Sequence, residues 1–149
     1  MDSGEARARF AAARVARLAT AGADGRPHLV PIVFALLDDD LYSAIDLKPK
    51  AHAGANVRLR RLDNIRANPA VSVLVDEYIE DWRQLWWARA DGTARVIAAT
   101  ETEAARALVA LSDRYPQYRD APPPGPVIAI AVDHWSGWVA QRYPDATNG

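Results

Sequence analysis

The chain has 149 residues, half of them apolar and a quarter charged, which fits one globular domain long enough to bury a core. Its formal charge of −1 speaks against nucleic acid or an anionic membrane as the main partner, and the absence of cysteine excludes disulfides and thiolate chemistry. The N-terminal stretch MDSGEARARFAAARVARL mixes charge with alanine and lacks a continuous apolar core, so it reads as neither signal peptide nor membrane span, and a cytoplasmic location is expected.

Glu5 to Ala13, rich in alanine and arginine, predicts a short helix, and Val15 to Thr20 a strand. Ala23-Asp24-Gly25-Arg26 is a turn, since Asp-Gly supplies the positive φ of a tight hairpin. His28 to Leu37, HLVPIVFALL, is an apolar run that predicts one buried strand. Pro31 lacks an N–H for the ladder and places that strand at an edge or on a bulge, where exposed backbone gives a flat ligand room to dock. Asp38-Asp39-Asp40 then turns the chain into LYSAIDLKPK. Of 18 basic residues only Lys48 and Lys50 are lysines, and both sit here. Pro49 biases Lys48 toward an extended backbone, so two ammonium groups can project from a strand end. By their residues they are either a phosphate anchor or a solvated basic turn.

Ala51 to Ala55 reads as a small loop. Asn56 to Arg66 predicts a helix, with Val57, Leu59, Leu62 and Ile65 near helical spacing, and Asn68-Pro69 stops it. Ala70 to Val75 is a core strand and Glu77 to Asp81 an acidic loop leading to Trp82. Gln84 to Ala98 alternates as a strand, with Leu85, Trp87 and Arg89 on one face and Trp86 and Ala88 on the other. Asp91-Gly92 is either a hairpin turn or a glycine bulge, and its residues favour the hairpin. Thr100 and Glu103 form a capping box for a helix from Glu101 to Arg114, lined by Leu108, Leu111 and Tyr115 and ended by Pro116. The proline-rich stretch from Pro122 to Pro126 is a stiff linker before a strand at Val127 to Val132. Beyond it, Trp135 and Trp138 read as ordinary core, and the tail after Pro144 as disordered. Strands joined mostly by short turns predict a mainly β fold, an antiparallel sheet closed into a small barrel with flanking helices.

No G-x-G-x-x-G, G-x-x-x-x-G-K-[ST] or G-x-S-x-G is present, and His28, His52 and His134 show no metal-ligand spacing. An enzyme built from these residues needs a cofactor to carry the chemistry.

The segments GRPHLVPIVF, LYSAIDLKPK, LDNIRANPAVSVLVDEY and LWWARADGTARVI, in that order, resemble the pyridoxamine 5'-phosphate oxidase-like split β-barrel proteins. They are most similar to the actinobacterial flavin/deazaflavin oxidoreductases that use coenzyme F420, over about residues 8 to 140. The resemblance implies an FMN-binding-like split barrel and a homodimer with cofactor sites at the subunit interface. It implies backbone contacts from Val30, Pro31 and Ile32 to a ring system, with Ser43 and Ala44 beside it. Lys48 and Lys50 would hold the phosphate, Asn64 would lie near that phosphate, and Trp82 would reach in from the partner subunit. Trp86, Trp87 and Arg89 would lie near the interface. The family reads Asp91-Gly92 as part of one long strand, and that reading is adopted. A flat apolar ring with an anionic tail suits an aromatic slot ending in cations. The implied function is F420-dependent hydride transfer from the reduced deazaflavin to an unsaturated small molecule. The alternatives are an FMN-dependent oxidoreductase on the same barrel and a non-catalytic flavin or tetrapyrrole binder. No catalytic residue and no metal ligand is assigned; Tyr42, Arg89 and His28 are candidates for proton donation or substrate contact. The loop after Lys50 adds His52, Arg58, Arg60 and Arg61, either a cationic track for an oligoglutamate tail or the solvated face of a helix.

Overall fold

The computed structural model describes residues 1–46 and 59–140. Lys48, Pro49, Lys50, the loop from 51 to 55, the start of the second helix and the tail after Pro144 lie outside the described residues. In chain order the elements are α1 (Ser3–Ala12), β1 (Ala16–Ala21), β2 (Pro27–Ile32), β3 (Ala35–Leu37) and β4 (Asp40–Ala44). Then follow α2 (Arg60–Ala67), β5 (Ala70–Glu77), a 3-10 turn (Trp82–Gln84), β6 (Trp86–Ile97), α3 (Thr102–Arg114), α4 (Pro116–Asp120) and β7 (Val127–Val139). The strands form a seven-stranded sheet in the order β2-β1-β5-β6-β7-β4-β3, with antiparallel pairing throughout. The sheet curls into a split β-barrel.

Local chemistry accounts for most of these elements. The Asp2 side chain accepts the Glu5 N–H at 2.8 Å and starts α1, and Gly25, at φ 74°, makes the turn into β2. In β5 Val71, Val73 and Val75 are buried on alternate positions. One apolar cluster fills the barrel, from Leu18, Phe34 and Leu41 to Val73, Ala88 and Ile130. Its ends are covered by Ala6 and Phe10 of α1 and by Leu62 and Ile65 of α2. A second cluster lies outside the barrel, where α3 sets Ala104, Ala107 and Leu111 on Tyr42, Ala44 and Ala129.

β6 and β7 are the longest strands. They pair from Trp86↔Val139 to Ile97↔Val127, with a register shift at Asp91/Gly92. Asp91 stands opposite His134 and Gly92 opposite Val132, so the extra residue is Asp133 on β7. The hairpin favoured by the residues of Asp91-Gly92 does not form. A Cβ on Gly92 would overlap the Ala131 carbonyl oxygen and lie 3.0 Å from its carbon, so here glycine allows two backbones to approach rather than reverse.

Further expectations are corrected. HLVPIVFALL is not one buried strand: it splits into β2 and β3, which occupy opposite edges of the sheet, with β2 largely exposed. The cause is Phe34, whose N–H donates to the Tyr115 hydroxyl at 3.2 Å and whose carbonyl accepts from it at 3.0 Å. Backbone groups held by a phenol cannot join a ladder. The capping box at Thr100 does not form either; Glu101 is the N-cap without a side-chain bond, and Glu103 pairs with Arg95 of β6. Pro116 does more than end α3, since it opens α4 at the first helical position. Trp135 packs edge-on to Phe10 at 5.2 Å, as core, but Trp138 is 42% exposed and is not.

Replacing Gly92 with alanine is expected to lower stability by about 1–3 kcal/mol, because backbone rather than a flexible side chain must move. Tyr115→Phe strips the buried Phe34 N–H of its acceptor and is expected to cost about 1–3 kcal/mol. Urea denaturation with an unchanged slope checks both, and a midpoint equal to wild type would contradict either account.

Candidate functional site

Among the described residues, two backbone edges are left without a strand partner around the crossing from β2 to β3. β2 ends the sheet, and along it Val30 is half-buried, Pro31 exposed and Ile32 buried. On the other side β3 pairs with only Asp40 to Tyr42 of β4, while β7 pairs with Asp40 to Ala44. Ser43 and Ala44 therefore run past β3 with one edge unpaired among the described residues. Both are buried, and the Ala44 methyl packs under α3, so these positions offer backbone more than side chain. The short link Val33-Phe34 brings the two edges to one place.

The end of β4 leads to a polar cluster. Asn64 is buried on α2, and its amide donates to the Thr20 hydroxyl at 3.0 Å. It also crowds Gly22, where a Cβ would stand 3.4 Å from the Asn64 Cγ, so Asn64 ties α2 to β1. Arg61, one turn earlier, is half-buried, and its Nε is buried with no hydrogen-bond partner among the described residues. Burial draws its pKa below the ordinary arginine value. The pKa of the Tyr118 phenol on α4 is raised first by burial and then by Asp46 at the end of β4. Sequence reasoning grouped Arg61 with its neighbours as one basic track. The signal separating it is its place three residues before Asn64 and one before Leu62, on the border of the buried helix face.

The outer face of β5 and β6 holds a cleft of about 310 Å³ lined by Leu74, Asp76, Tyr78, Trp87 and Arg89. The Arg89 guanidinium lies 5.7 Å from the Trp87 ring and donates from Nε to Asp91 at 3.0 Å. The other Asp91 oxygen accepts from the Ser72 hydroxyl at 2.5 Å. Elsewhere on the surface Leu29 and Trp138 are exposed, as is Tyr78 in the cleft, and Trp82 is 76% exposed. Trp82 stands on a rigid turn: Asp81 accepts from the Arg83 side chain at 2.9 and 3.0 Å, from the Arg83 N–H at 3.2 Å and from Gln84 at 3.0 Å. The side-chain bonds from Arg83, then that from Gln84, hold the Asp81 carboxyl well below the usual carboxylate range. An aromatic side chain held out on a satisfied turn suits a flat surface.

The proposed proton donors are not brought together. Tyr42 is buried beneath α3, with its pKa raised by burial and then by Asp40, while Arg89 lies on the outer face of β6. His28 sits on β2 opposite Thr20, its Nδ1 buried and unpartnered. No three metal-binding side chains cluster among the described residues. The chemistry available is binding of a planar group and of an anion, with no nucleophile and base in contact among the described residues.

No curated protein matches the chain. Solved structures do. A FAD-binding protein of Mesorhizobium loti is 25% identical, covers 92% of this chain and 94% of its own, and superposes with a TM-score of 0.69. A conserved hypothetical protein of Mycobacterium tuberculosis is 23% identical, with coverage of 100% and 92% and a TM-score of 0.72. The heme storage protein HutZ of Vibrio cholerae shares the fold at 16% identity, coverage of 93% and 95% and a TM-score of 0.69. The sequence itself matches the family model for pyridoxamine 5'-phosphate oxidase over residues 3–139, nearly its whole length, and the chain belongs to that family.

Proposed function

We propose that the protein is an oxidoreductase that binds the deazaflavin F420 and moves a hydride from its reduced ring to an unsaturated small molecule, acting in the cytoplasm. The observation that carries this reading is the edge at Ser43-Ala44, unpaired among the described residues, together with a half-buried arginine, Arg61, whose Nε has no partner among them. A flat ring followed by an anionic tail fits that sequence of surfaces. Bound, the cofactor supplies the hydride; the chain supplies binding, orientation and exclusion of water. Val30, Pro31 and Ile32 offer backbone to the ring from the other edge. Arg61 holds the tail phosphate together with Lys48 and Lys50, while Asn64 fixes the helix that carries Arg61.

The site is completed by a second copy of the chain. Leu29, Tyr78, Trp82 and Trp138 are too apolar to face water as a group, and a homodimer would cover them, with Trp82 reaching into the partner's cofactor site. A second reading stays open on the same fold: FMN, or a tetrapyrrole stored without turnover. The FAD-binding relative from Mesorhizobium and the heme storage protein of Vibrio lend support to it.

Quenching of tryptophan fluorescence on titration with F420, and separately with FMN, tests the reading. Micromolar or tighter binding of F420 is expected. Tight binding of FMN alone would move the protein to the flavin reading, and binding of neither would overturn both. Replacing Lys48 and Lys50 together with alanine is expected to weaken cofactor affinity by about tenfold or more, at ~1.4 kcal/mol per decade, with the dimer intact by sedimentation.

A further inference from the structure

We infer that the cleft on the outer face of β5 and β6 is a binding site for a small planar carboxylate, an aromatic or conjugated acid, with Arg89 as the anchor for its anionic end. In the sheet, β1 and β5 separate Arg89 from the open edge of β2, and β7 separates it from Ser43-Ala44. The cleft is therefore a place apart from the cofactor edges described above.

Strand register builds the cleft. Leu74 stands opposite Arg89 and Asp76 opposite Trp87 in the antiparallel β5–β6 pair, so these side chains leave one face as neighbours. Tyr78, just past the end of β5, completes the lining. The space among them is about 310 Å³, at the small end of the range for ligand sites, and it suits one ring with a short side group. Leu74 supplies apolar surface, and the Trp87 and Tyr78 rings supply flat surface on which a planar group can stack.

Arg89 gives this apolar space its selectivity. The guanidinium is engaged through Nε alone, by Asp91 at 3.0 Å, and the other Asp91 oxygen is taken by the Ser72 hydroxyl. Both Asp91 oxygens are thus occupied, while the two terminal amino groups of Arg89 have no acceptor among the described residues. The Nε bond and the Trp87 ring, 5.7 Å from the guanidinium carbon, orient the fork before a ligand arrives, which lowers the entropy cost of binding. A planar fork with unused N–H groups beside an apolar surface matches a carboxylate in shape and charge. Asp76 limits how much charge the ligand can carry. It lines the same cleft, and its ion pair with Arg17 is long, at 3.8 Å, so it opposes a phosphate dianion more than a singly charged carboxylate.

Isothermal titration calorimetry on the full chain with trans-cinnamate, cinnamamide and phenyl phosphate tests this. Cinnamate is expected to bind about tenfold more tightly, or better, than either of the others. Arg89→Gln is expected to shrink the preference for acid over amide about tenfold, with affinity for the amide unchanged. Arg89→Lys keeps the charge and loses the fork, and is expected to lose most of the same preference. Trp87→Leu is expected to weaken acid and amide alike, which separates stacking from charge. Because the Arg89–Asp91 pair is partly exposed, both Arg89 variants should keep denaturation midpoints close to wild type. Equal affinity of wild type for acid and amide, or binding of neither, overturns the inference, as does a preference that survives in both Arg89 variants. Tighter binding of phenyl phosphate overturns the assignment to carboxylates. None of these results bears on the F420 and FMN titrations, so the cofactor reading is judged separately.

Discussion

The β6–β7 ladder is the constraint on which the rest of the fold depends. Both strands are long enough to serve two halves of the sheet, β6 pairing with β5 through its first eight residues and β7 with β4 through its first five. A regular ladder of that length would coil gently and leave the halves splayed. The extra residue at Asp133 breaks the register, sharpens the local twist, and lets the far halves turn toward one another. This works only if the opposing backbones come very close, which is why position 92 carries no side chain.

Closure is completed by one hydroxyl. The Tyr115 phenol binds Phe34 on both its N–H and its carbonyl, and also lies 3.0 Å from the Arg14 carbonyl at the entry to β1. Arg14 and Arg114 flank its ring, at 4.9 and 5.6 Å from the centroid. Three segments distant in sequence are thus gathered at one buried polar atom, and the crossing between the sheet's two edges is fixed by it. The candidate site inherits that geometry, since its two edges are those that the crossing brings together.

Much of this was legible in the sequence. The β5 alternation, the Asp24-Gly25 turn and the Asn68-Pro69 stop are local signals, and each stands where it was read. The ordered segments led to the barrel and, through resemblance, to the family. What failed was what depends on distant partners. Nothing in HLVPIVFALL says that a tyrosine 81 residues on will take the backbone of Phe34. The Thr100 box is sound as a pattern, but Glu103 has a stronger partner in Arg95, which the sheet brings beside it. For the candidate site, the resemblance pointed to Val30 to Ile32 and Ser43-Ala44, while Arg61 was hidden among similar arginines. Its burial depends on how α2 seats on β1 and β6, and no window along the sequence carries that.

The edge strand β2 carries Pro27 and Pro31, four residues apart. Proline is tolerated in such a strand where its missing N–H would have faced outward, so the open edge lacks donors at both places. A strand from another molecule needs a donor at every second residue, and finds that ladder interrupted twice within its length. A small planar molecule needs only one or two hydrogen bonds and can take them between the prolines. The same two residues that guard the barrel against sheet-to-sheet aggregation therefore leave its edge selective by size, closed to polypeptide and open to a ring.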